Sequence, residues 1–295
     1  MTTPLPAYFQ TSLDGFYRSM AGKNRSPKTV LAYSTDLQQF LGWVVENDAT
    51  VETVADIQRV HIIDFLASLS ERKLTGVSRA RKLAAIREYC RYLVNMDLLE
   101  KSPATGVDTP KIEHNGKAWL RPDEYSRMLS LAAGNPRDYC ILTVFLQTGI
   151  RVSELCNLRI NDIDLKAKQL SVRSGKGMNA RQISLETKGI KALKTWLQLR
   201  PSASHDHIFT NERDGGAITE RGVRMLVTKY RENAGITKQA SCHALRHTFA
   251  TVKASKGVSP YQLQRLLGHS KLDTTMVYVH LGRENEAAVM EETSL

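Results

Sequence analysis

The chain has 295 residues, of which 42% are hydrophobic, and it carries a formal net charge of +11. A chain of this length is expected to form two domains, and its apolar fraction is sufficient for packed cores. The apolar runs are all shorter than ten residues, and the N-terminus lacks the basic and apolar blocks of a signal peptide, which argues against a membrane-spanning or exported protein.

The positive charge is concentrated in the second part of the chain. Residues 1–110 contain 13 Lys and Arg against 12 Asp and Glu, whereas residues 111–295 contain 28 against 18. This balance favours a polyanionic partner, of which nucleic acid is the commonest. The four cysteines are dispersed, which is typical of reduced thiols, and we therefore predict a cytoplasmic protein.

The first hundred residues have a helical pattern. Ser26 and Pro27 combine a capping hydroxyl with a first-turn proline, and apolar residues follow at helical spacing. Further helices are predicted over 61–72 and 77–94, and the second of these carries four candidate DNA contacts: Arg79, Lys82, Arg87 and Arg91. The pattern predicts a helical domain over residues 1–107 with one basic helix. The alternative for that helix is a solvated face without a ligand.

Residues 108–118 are rich in proline, glycine and charge, which is typical of a linker. A second domain is predicted over 119–295. Its first elements are helices over 122–133 and 137–147, and Gly149 is expected to end the second of them.

Two alternating segments, 169–173 and 181–185, predict a β-hairpin joined by a glycine-rich turn. From residue 188 to the end the pattern is again helical. Gly268 is expected to end a short helix that begins at Pro260.

Six residues of the second domain carry groups that suit metal-free attack on a phosphodiester: Arg151, Lys176, His243, Arg246, His269 and Tyr278. Each guanidinium can offer a two-pronged hydrogen bond to the non-bridging phosphate oxygens, which a lysine cannot. A phenol ionises only near pH ~10, so Tyr278 needs a base or a positive field to act as a nucleophile. Lys176 lies between two glycines, and this arrangement lets it reach and protonate a departing oxygen.

The sequence strings around these residues resemble the tyrosine site-specific recombinases, the phage-integrase and Xer-like family. In chain order they are TGIRVSELCNLRINDID, SGKGMNAR, HALRHTFA and LLGHSKLDTTMVYVH. The resemblance covers nearly the whole chain and is strongest over 119–278. It implies a mainly α fold with a small antiparallel β-sheet: an N-terminal helical core-binding (SAM-like) domain and an α+β catalytic domain, which together form a C-shaped clamp on DNA.

The resemblance also implies a role for each group. His243 would accept the proton of Tyr278, His269 would donate a hydrogen bond to the scissile phosphate, and Lys176 would be the general acid. His247 is expected to be structural. Arg173 and Arg181, on the hairpin strands, are expected to contact the phosphate backbone.

The implied reaction is a two-step transesterification of double-stranded DNA at a specific site. Tyr278 forms a 3′-phosphotyrosyl bond, and a 5′-hydroxyl from a partner duplex then reverses that step. Neither ATP, a metal nor another cofactor is expected. The expected assembly is a homotetramer on DNA, in which the C-terminal tail of one protomer docks on its neighbour. A second, related recombinase is an alternative partner. The protein is expected to be associated with the nucleoid.

Three other functions are compatible with parts of the pattern. A type IB topoisomerase uses a similar set of groups to relax supercoils, and a non-catalytic DNA-binding regulator could share the fold. A metal-dependent nuclease is disfavoured because Glu154 and Asp164 are not expected to pair. For a recombinase, the sequence leaves the biological role open: it suits resolution of chromosome or plasmid dimers, resolution of transposon cointegrates, or integration of a mobile element. Few residues precede the first helical domain, so no separate arm-binding domain is expected.

Overall fold

The computed structural model describes residues 5–112, 118–173, 180–238, 240–269, 272 and 275–278. The chain divides into two compact units, Met1–Asn115 and Gly116–Leu295. The domain limits 1–107 and 119–295, with the linker over 108–118, stay a prediction because residues 113–117 lie outside the described residues. None of the helices in the described ranges combines the length and apolar character needed to cross a membrane.

The described part of the first unit contains four α-helices and a short 3-10 helix (Val54–Asp56). The α-helices are α1 (Ala7–Gly22), α2 (Pro27–Asn47), α3 (Arg59–Glu71) and α4 (Gly76–Asn95). The helix start predicted at Ser26 is confirmed, because the Ser26 hydroxyl accepts a hydrogen bond from the Thr29 N–H at 3.1 Å. The predicted helices over 61–72 and 77–94 correspond to α3 and α4.

The core of this unit is built from apolar side chains of all four helices. Fully buried members include Phe9, Leu13, Phe16, Leu37, Phe40, Phe65, Ile86 and Tyr89. These residues recur at helical spacing along each helix, so each helix presents one apolar face to the others. Helix α4 therefore carries both the basic residues and part of this apolar core.

The described part of the second unit contains seven α-helices, a short helical segment over 275–278, a 3-10 helix (Ile160–Asp162) and a three-stranded antiparallel sheet. The helices are α5 (Pro122–Ala132), α6 (Pro136–Thr148), α7 (Val152–Cys156), α8 (Thr187–Leu199), α9 (Glu220–Asn233), α10 (Cys242–Ser255) and α11 (Pro260–Leu267), and the strands are β1 (Ile163–Asp164), β2 (Gln169–Val172) and β3 (Arg181–Ser184). Helix α6 is buried along most of its length and packs against α5, α8 and α10. A mainly α fold with a small antiparallel sheet is therefore confirmed.

The predicted hairpin is confirmed as β2 and β3, in which Leu170 pairs with Ile183 and Val172 with Arg181. Strand β1 was not predicted, because a strand of two residues is too short to show an alternating pattern. The continuous helical pattern predicted after residue 188 is wrong for residues 200–219. Pro201 and the glycines at 215 and 216 interrupt it, and isolated β-bridges take the place of a helix.

Two glycine turns position the residues of the candidate site. Gly149 ends α6 with a φ of 60°, and a Cβ at this position would lie 2.4 Å from Cδ1 of Phe249. Gly268 ends α11 with a φ of 64°. Only glycine adopts this left-handed conformation without a steric cost, and at Gly149 it also allows the close approach to Phe249. Arg151 and His269 follow these two turns directly.

Candidate active site

Arg151 follows the turn at Gly149 and caps the N-terminus of α7. Its backbone N–H donates to Oε2 of Glu154 at 2.7 Å, and its Nη1 donates to Oε1 of the same carboxylate at 3.0 Å. Its Nη2 donates to the carbonyl of Gly268 at 3.1 Å. The side chain remains 36% exposed, so the guanidinium is held on one side and is accessible to a ligand on the other.

Arg246 lies on α10 and is only 3% exposed. Its Nη1 and Nη2 donate to the carbonyls of Gly149 and Leu267, both at 2.7 Å. Burial lowers the pKa of this guanidinium to about 10, and the positive charge of Arg151 acts in the same direction. The Arg246 guanidinium therefore remains charged at neutral pH. Arg246 donates to the turns at Gly149 and Leu267, and Arg151 donates to Gly268, so two positively charged guanidiniums lie at these turns.

Glu154 connects Arg151 to the β-sheet. Its carboxylate accepts hydrogen bonds from Nη1 and Nη2 of Arg181 at 3.0 and 2.8 Å. Burial alone would raise the pKa of the Glu154 carboxyl, but the hydrogen bonds from Arg181 and Arg151 and their charges outweigh it and lower the pKa. Glu154 was not predicted to belong to the site, although its position three residues after Arg151 on a short helix is a usable signal.

The prediction that Arg181 contacts the DNA backbone is corrected by this geometry. The Arg181 side chain is only 12% exposed, and its Nε donates to the carbonyl of Leu266 at 2.8 Å. All three guanidinium nitrogens therefore bind groups of the protein. The physical reason is the buried Glu154 carboxylate, which would be strongly destabilised without this partner.

Two hydrogen bonds orient His269, one through its imidazole and one through its backbone carbonyl. Its Nδ1 lies 2.9 Å from the hydroxyl of Thr275, which is fully buried. Its carbonyl accepts a hydrogen bond from the Gln264 side chain at 3.2 Å. The imidazole stacks on the ring of Tyr278, with centroids 6.3 Å apart and an interplanar angle of 18°. The structure therefore brings His269 and Tyr278 together.

Tyr278 lies in a short helical segment over 275–278 and is only 1% exposed. Its ring packs in an apolar cluster with Phe249, Ala250 and Leu267. Burial raises the pKa of the phenol, whereas the charge of Arg246 lowers it, and the net result is a raised pKa. The phenol is therefore protonated at neutral pH unless a neighbouring group removes the proton.

The imidazole in contact with the Tyr278 hydroxyl belongs to His247, whose Nδ1 lies 2.6 Å from that oxygen. His243 is exposed one helical turn away, and the two imidazoles stack with centroids 6.4 Å apart. The structural role expected for His247 stays a prediction, and packing of α10 turns His247 towards the tyrosine. Its spacing of four residues from His243 was the available signal.

Lys176 lies outside the described residues, together with the rest of the hairpin turn over 174–179. The strands that flank this turn are both described, and β3 begins at Arg181. The role of Lys176 as the general acid stays a prediction.

Lys82 on α4 does not face solvent, which corrects its prediction as a DNA contact. It is 4% exposed, and its ammonium binds Oδ1 of Asp36 at 2.8 Å and Oε1 of Gln39 at 2.5 Å. Asp36 is fully buried on α2 and also binds Nη1 of Arg81. A buried carboxylate needs such partners, so Lys82 joins α4 to α2.

The other predicted DNA contacts differ in how accessible they are. Arg91 and Arg173 have side chains that are 66% and 64% exposed, in ion pairs with Glu88 and Asp162. Arg79 is half-buried on α4. Arg87 is also half-buried and donates to the backbone carbonyl of Val107 and to Thr109. DNA contact by Arg91 and Arg173 stays a prediction, supported by the exposure of both side chains; the partner of Arg173, Asp162, is itself buried.

A groove with a volume of about 1170 Å³ opens beside these residues, between β3 and α11. Its lining includes Gln182 on β3, Gln262 and Arg265 on α11, and His269 at the turn. The groove therefore reaches the edge of the candidate site. Among the described residues, no three His, Cys, Asp or Glu side chains are arranged to hold a metal ion.

Two family models match the chain and together cover most of it. The first is the phage integrase N-terminal SAM-like domain, which matches residues 13–96, and the second is the phage integrase family, which matches residues 118–285. Together the two matches define an enzyme of DNA strand exchange, with a SAM-like N-terminal domain followed by a phage integrase domain. The chain belongs to the phage integrase family. It is a tyrosine recombinase, an enzyme of site-specific DNA cleavage and rejoining.

Relatives and solved structures agree with this assignment. The chain is 36% identical to a tyrosine recombinase of Pseudothermotoga lettingae, over 87% of this chain and 88% of the relative. It is 32% identical to the tyrosine recombinase XerC of Anoxybacillus flavithermus, over 89% of this chain and 90% of that protein. The crystal structure of the XerH site-specific recombinase, in a post-cleavage complex with its palindromic difH substrate, shares the fold. Its TM-score is 0.74, with 23% identity, over 92% of this chain and 82% of XerH.

Proposed function

We propose that this recombinase cleaves DNA through Tyr278 and that Arg151 and Arg246 bind the phosphate under attack. The observation that carries the proposal is the position of the two guanidiniums, both held by carbonyls of the turns at Gly149 and at residues 267–268. Two fixed guanidiniums offer paired donors to the equatorial oxygens of a phosphoryl transition state. Burial raises the pKa of the Tyr278 phenol, and the charge of the nearby Arg246 opposes that rise.

In the first step, the Tyr278 oxygen attacks the phosphorus and the bond from phosphorus to the 5′-oxygen breaks. The product is a 3′-phosphotyrosyl bond and a free 5′-hydroxyl. His243 accepts the phenol proton, Lys176 donates the proton that the departing oxygen needs, and His269 donates a hydrogen bond to the phosphate. In the second step, a 5′-hydroxyl of the partner duplex attacks the phosphotyrosine and releases Tyr278.

The proposed substrate is double-stranded DNA with a specific recombination site. The excess of positive charge over residues 111–295 supports it, and so does the DNA-bound state of the structurally similar XerH. Arg91 and Arg173 are proposed phosphate contacts. The proposed assembly is a homotetramer on two sites, associated with the nucleoid, in which the tail after Tyr278 docks on a neighbouring protomer.

The test begins with a duplex selected from a random-sequence library for binding to the full chain. A nick beside the cleavage position of this selected duplex lets the cut fragment diffuse away, so the covalent adduct accumulates. The wild-type chain should form the adduct. Tyr278→Phe should bind the duplex equally well and form none, because it lacks only the attacking oxygen. The adduct is measured on denaturing gels.

Tyr261→Phe is the matched control, because Tyr261 on α11 is 68% exposed and is given no role in the reaction. This variant should form the adduct at the wild-type rate. An adduct with Tyr278→Phe, or none with wild type on any selected duplex, would contradict the proposed function.

A further inference from the structure

Three consecutive backbone carbonyls at the end of α11 each accept a hydrogen bond from a different arginine. The pairs are Leu266 with Nε of Arg181 at 2.8 Å, Leu267 with Nη2 of Arg246 at 2.7 Å, and Gly268 with Nη2 of Arg151 at 3.1 Å. The last carbonyls of a helix have no partner within that helix and lie at the negative end of its dipole, which favours cations. Two of these arginines are proposed to bind phosphate, whereas Arg181 has no role in the proposed reaction.

Arg181 also binds the carboxylate that holds Arg151 from its other side. Nη1 and Nη2 of Arg181 donate to Oε1 and Oε2 of Glu154 at 3.0 and 2.8 Å, and Nη1 of Arg151 donates to the same Oε1 at 3.0 Å. Gly268 lies against the Arg181 guanidinium, since a Cβ at this glycine would be 3.1 Å from Nη1 of Arg181. Both acceptors of the Arg151 guanidinium, the Glu154 carboxylate and the Gly268 carbonyl, are therefore in contact with Arg181.

The charge of Arg181 decides how Glu154 acts on Arg151. Burial raises the pKa of the Glu154 carboxyl, but the two arginines beside it lower the pKa by more, so the carboxyl is ionised at neutral pH. A carboxylate paired with Arg151 alone would cancel the positive charge that a phosphate needs and would compete for the same N–H groups. Because Arg181 neutralises it with two hydrogen bonds, Glu154 orients Arg151 without cancelling its charge.

We propose that Arg181 is a positioning residue for Arg151. It neutralises Glu154 and fixes the turn at Gly268, so that the Arg151 guanidinium keeps both its place and its charge for the scissile phosphate. This inference rests on the proposed function, in which Arg151 binds that phosphate. Arg181 is only 12% exposed and has all three guanidinium nitrogens bound to groups of the protein, so it acts through Arg151 and not by touching DNA.

Arg181→Met tests the proposal, with the adduct rate measured at saturating protein on two forms of the nicked selected duplex. One has an ordinary phosphate at the cleavage position, and the other has a methylphosphonate, in which a methyl group replaces one non-bridging oxygen and removes the negative charge. Arg181→Met should cleave the phosphate duplex on the order of 100-fold more slowly, because misplacing a group costs about that much. The ratio of the methylphosphonate rate to the phosphate rate should rise, as in Arg151→Ala, because the uncharged group needs the cation less.

Arg137→Met is the matched control, because Arg137 makes contacts of the same kind at the opposite end of α6 from Gly149. Its side chain is also 12% exposed. It binds the buried Asp138 carboxylate through Nε and Nη2 and the carbonyl of Thr210 through Nη1. This variant should lose stability as Arg181→Met does, yet it should cleave at nearly the wild-type rate with an unchanged ratio of the two rates.

Two further variants separate the charge of Arg181 from its packing. Glu154→Gln in the Arg181→Met background removes the carboxylate that would otherwise capture Arg151, so this double variant should cleave the phosphate duplex faster than Arg181→Met alone. Arg181→Lys keeps the charge but loses the paired geometry, so it should be slowed less and show a smaller rise in the ratio. Circular dichroism shows which variants are folded, and if Arg181→Met is unfolded, the rise in the ratio for Arg181→Lys decides.

Three results would overturn the role of Arg181. They are a wild-type rate for Arg181→Met on the phosphate duplex, a slower rate without a rise in the ratio, as a purely structural residue would give, and a double variant no faster than Arg181→Met. An unchanged ratio in Arg151→Ala would instead contradict the proposed function, because Arg151 would then not neutralise the phosphate. The two proposals therefore fail on different measurements.

Discussion

Arg181 binds both carboxylate oxygens of Glu154, with Nη1 and Nη2 at 3.0 and 2.8 Å. The same carboxylate holds the backbone N–H and Nη1 of Arg151. Strand β3 and the arginine proposed to bind phosphate are thus connected through one buried carboxylate. The position of Arg151 depends on this pair, although neither Glu154 nor Arg181 is proposed to touch DNA.

Arg181→Met should destabilise the second unit by about 3 kcal/mol, because it leaves the buried Glu154 carboxylate with one of its three side-chain hydrogen bonds. Arg181→Lys should cost less, since it keeps the charge and loses the paired geometry. Both are measured by urea unfolding in a Trp43→Phe background, in which the two remaining tryptophans, Trp119 and Trp196, lie in the second unit. Equal stability of Arg181→Met and wild type would show that the Arg181–Glu154 pair does not stabilise the second unit.

Glu154 should also make the stability of the second unit depend on pH. Its carboxyl has a lowered pKa in the folded state, so folding favours the ionised form. This contribution is fully present above the ordinary glutamate pKa of ~4.3 and is lost as the pH falls through the lower, folded value. Glu154→Gln should be less stable at pH 7 and should lose less stability than wild type between pH 5 and pH 3. Parallel pH curves for the two proteins would rule out this role.

Lys176→Ala should cleave ordinary DNA poorly and recover on a duplex with sulfur in place of the bridging 5′-oxygen at the cleavage position. A thiolate leaves without being protonated, so the sulfur makes the general acid unnecessary. Arg246→Ala is the control and should not recover, because its proposed role is to stabilise charge in the transition state. Adduct rates on the two duplexes provide the measurement. Recovery of both variants, or of neither, contradicts the role of Lys176.

Arg91 and Lys82 lie on the same helix, but their substitution should have different effects. Arg91→Ala should weaken binding of the selected duplex and reduce the slope of log affinity against log salt by about 1, with little effect on folding. Lys82→Ala should mainly destabilise the first unit, by about 3 kcal/mol, because the fully buried Asp36 loses a partner. Unfolding is followed by hydrogen exchange of α2 and α4. A changed salt slope with unchanged protection in Lys82→Ala would restore Lys82 as a DNA contact.

The tail over residues 284–295 lies outside the described residues, and its proposed role in assembly is tested by deletion. The truncated chain should bind a single selected duplex normally, because the tail has four glutamates and no lysine or arginine. It should form fewer tetramers on two duplexes and recombine them more slowly. Native gels and recombination assays measure both. Wild-type tetramer yield and rate would show that the tail is dispensable.

The sequence alone determined the elements whose signals are local. Ser26 and Pro27 predicted the start of α2, and Gly149 and Gly268 predicted the ends of α6 and α11, because capping and left-handed turns involve residues close in the chain. The alternation over 169–173 and 181–185 predicted the hairpin for the same reason. The motif order also identified the family without any structural information.

Only the tertiary structure decided what each charged or polar group binds. Lys82 pairs with a residue 46 positions away and Arg181 with one 27 positions away, and no local pattern marks either partner. His243 and His247 are one helical turn apart, and the packing of Tyr278 against Phe249 and Leu267 places its hydroxyl on His247. Local propensity specifies where a helix begins and ends. The burial of a carboxylate or a phenol, and therefore the partner it requires, depends on contacts that form only when distant segments pack together.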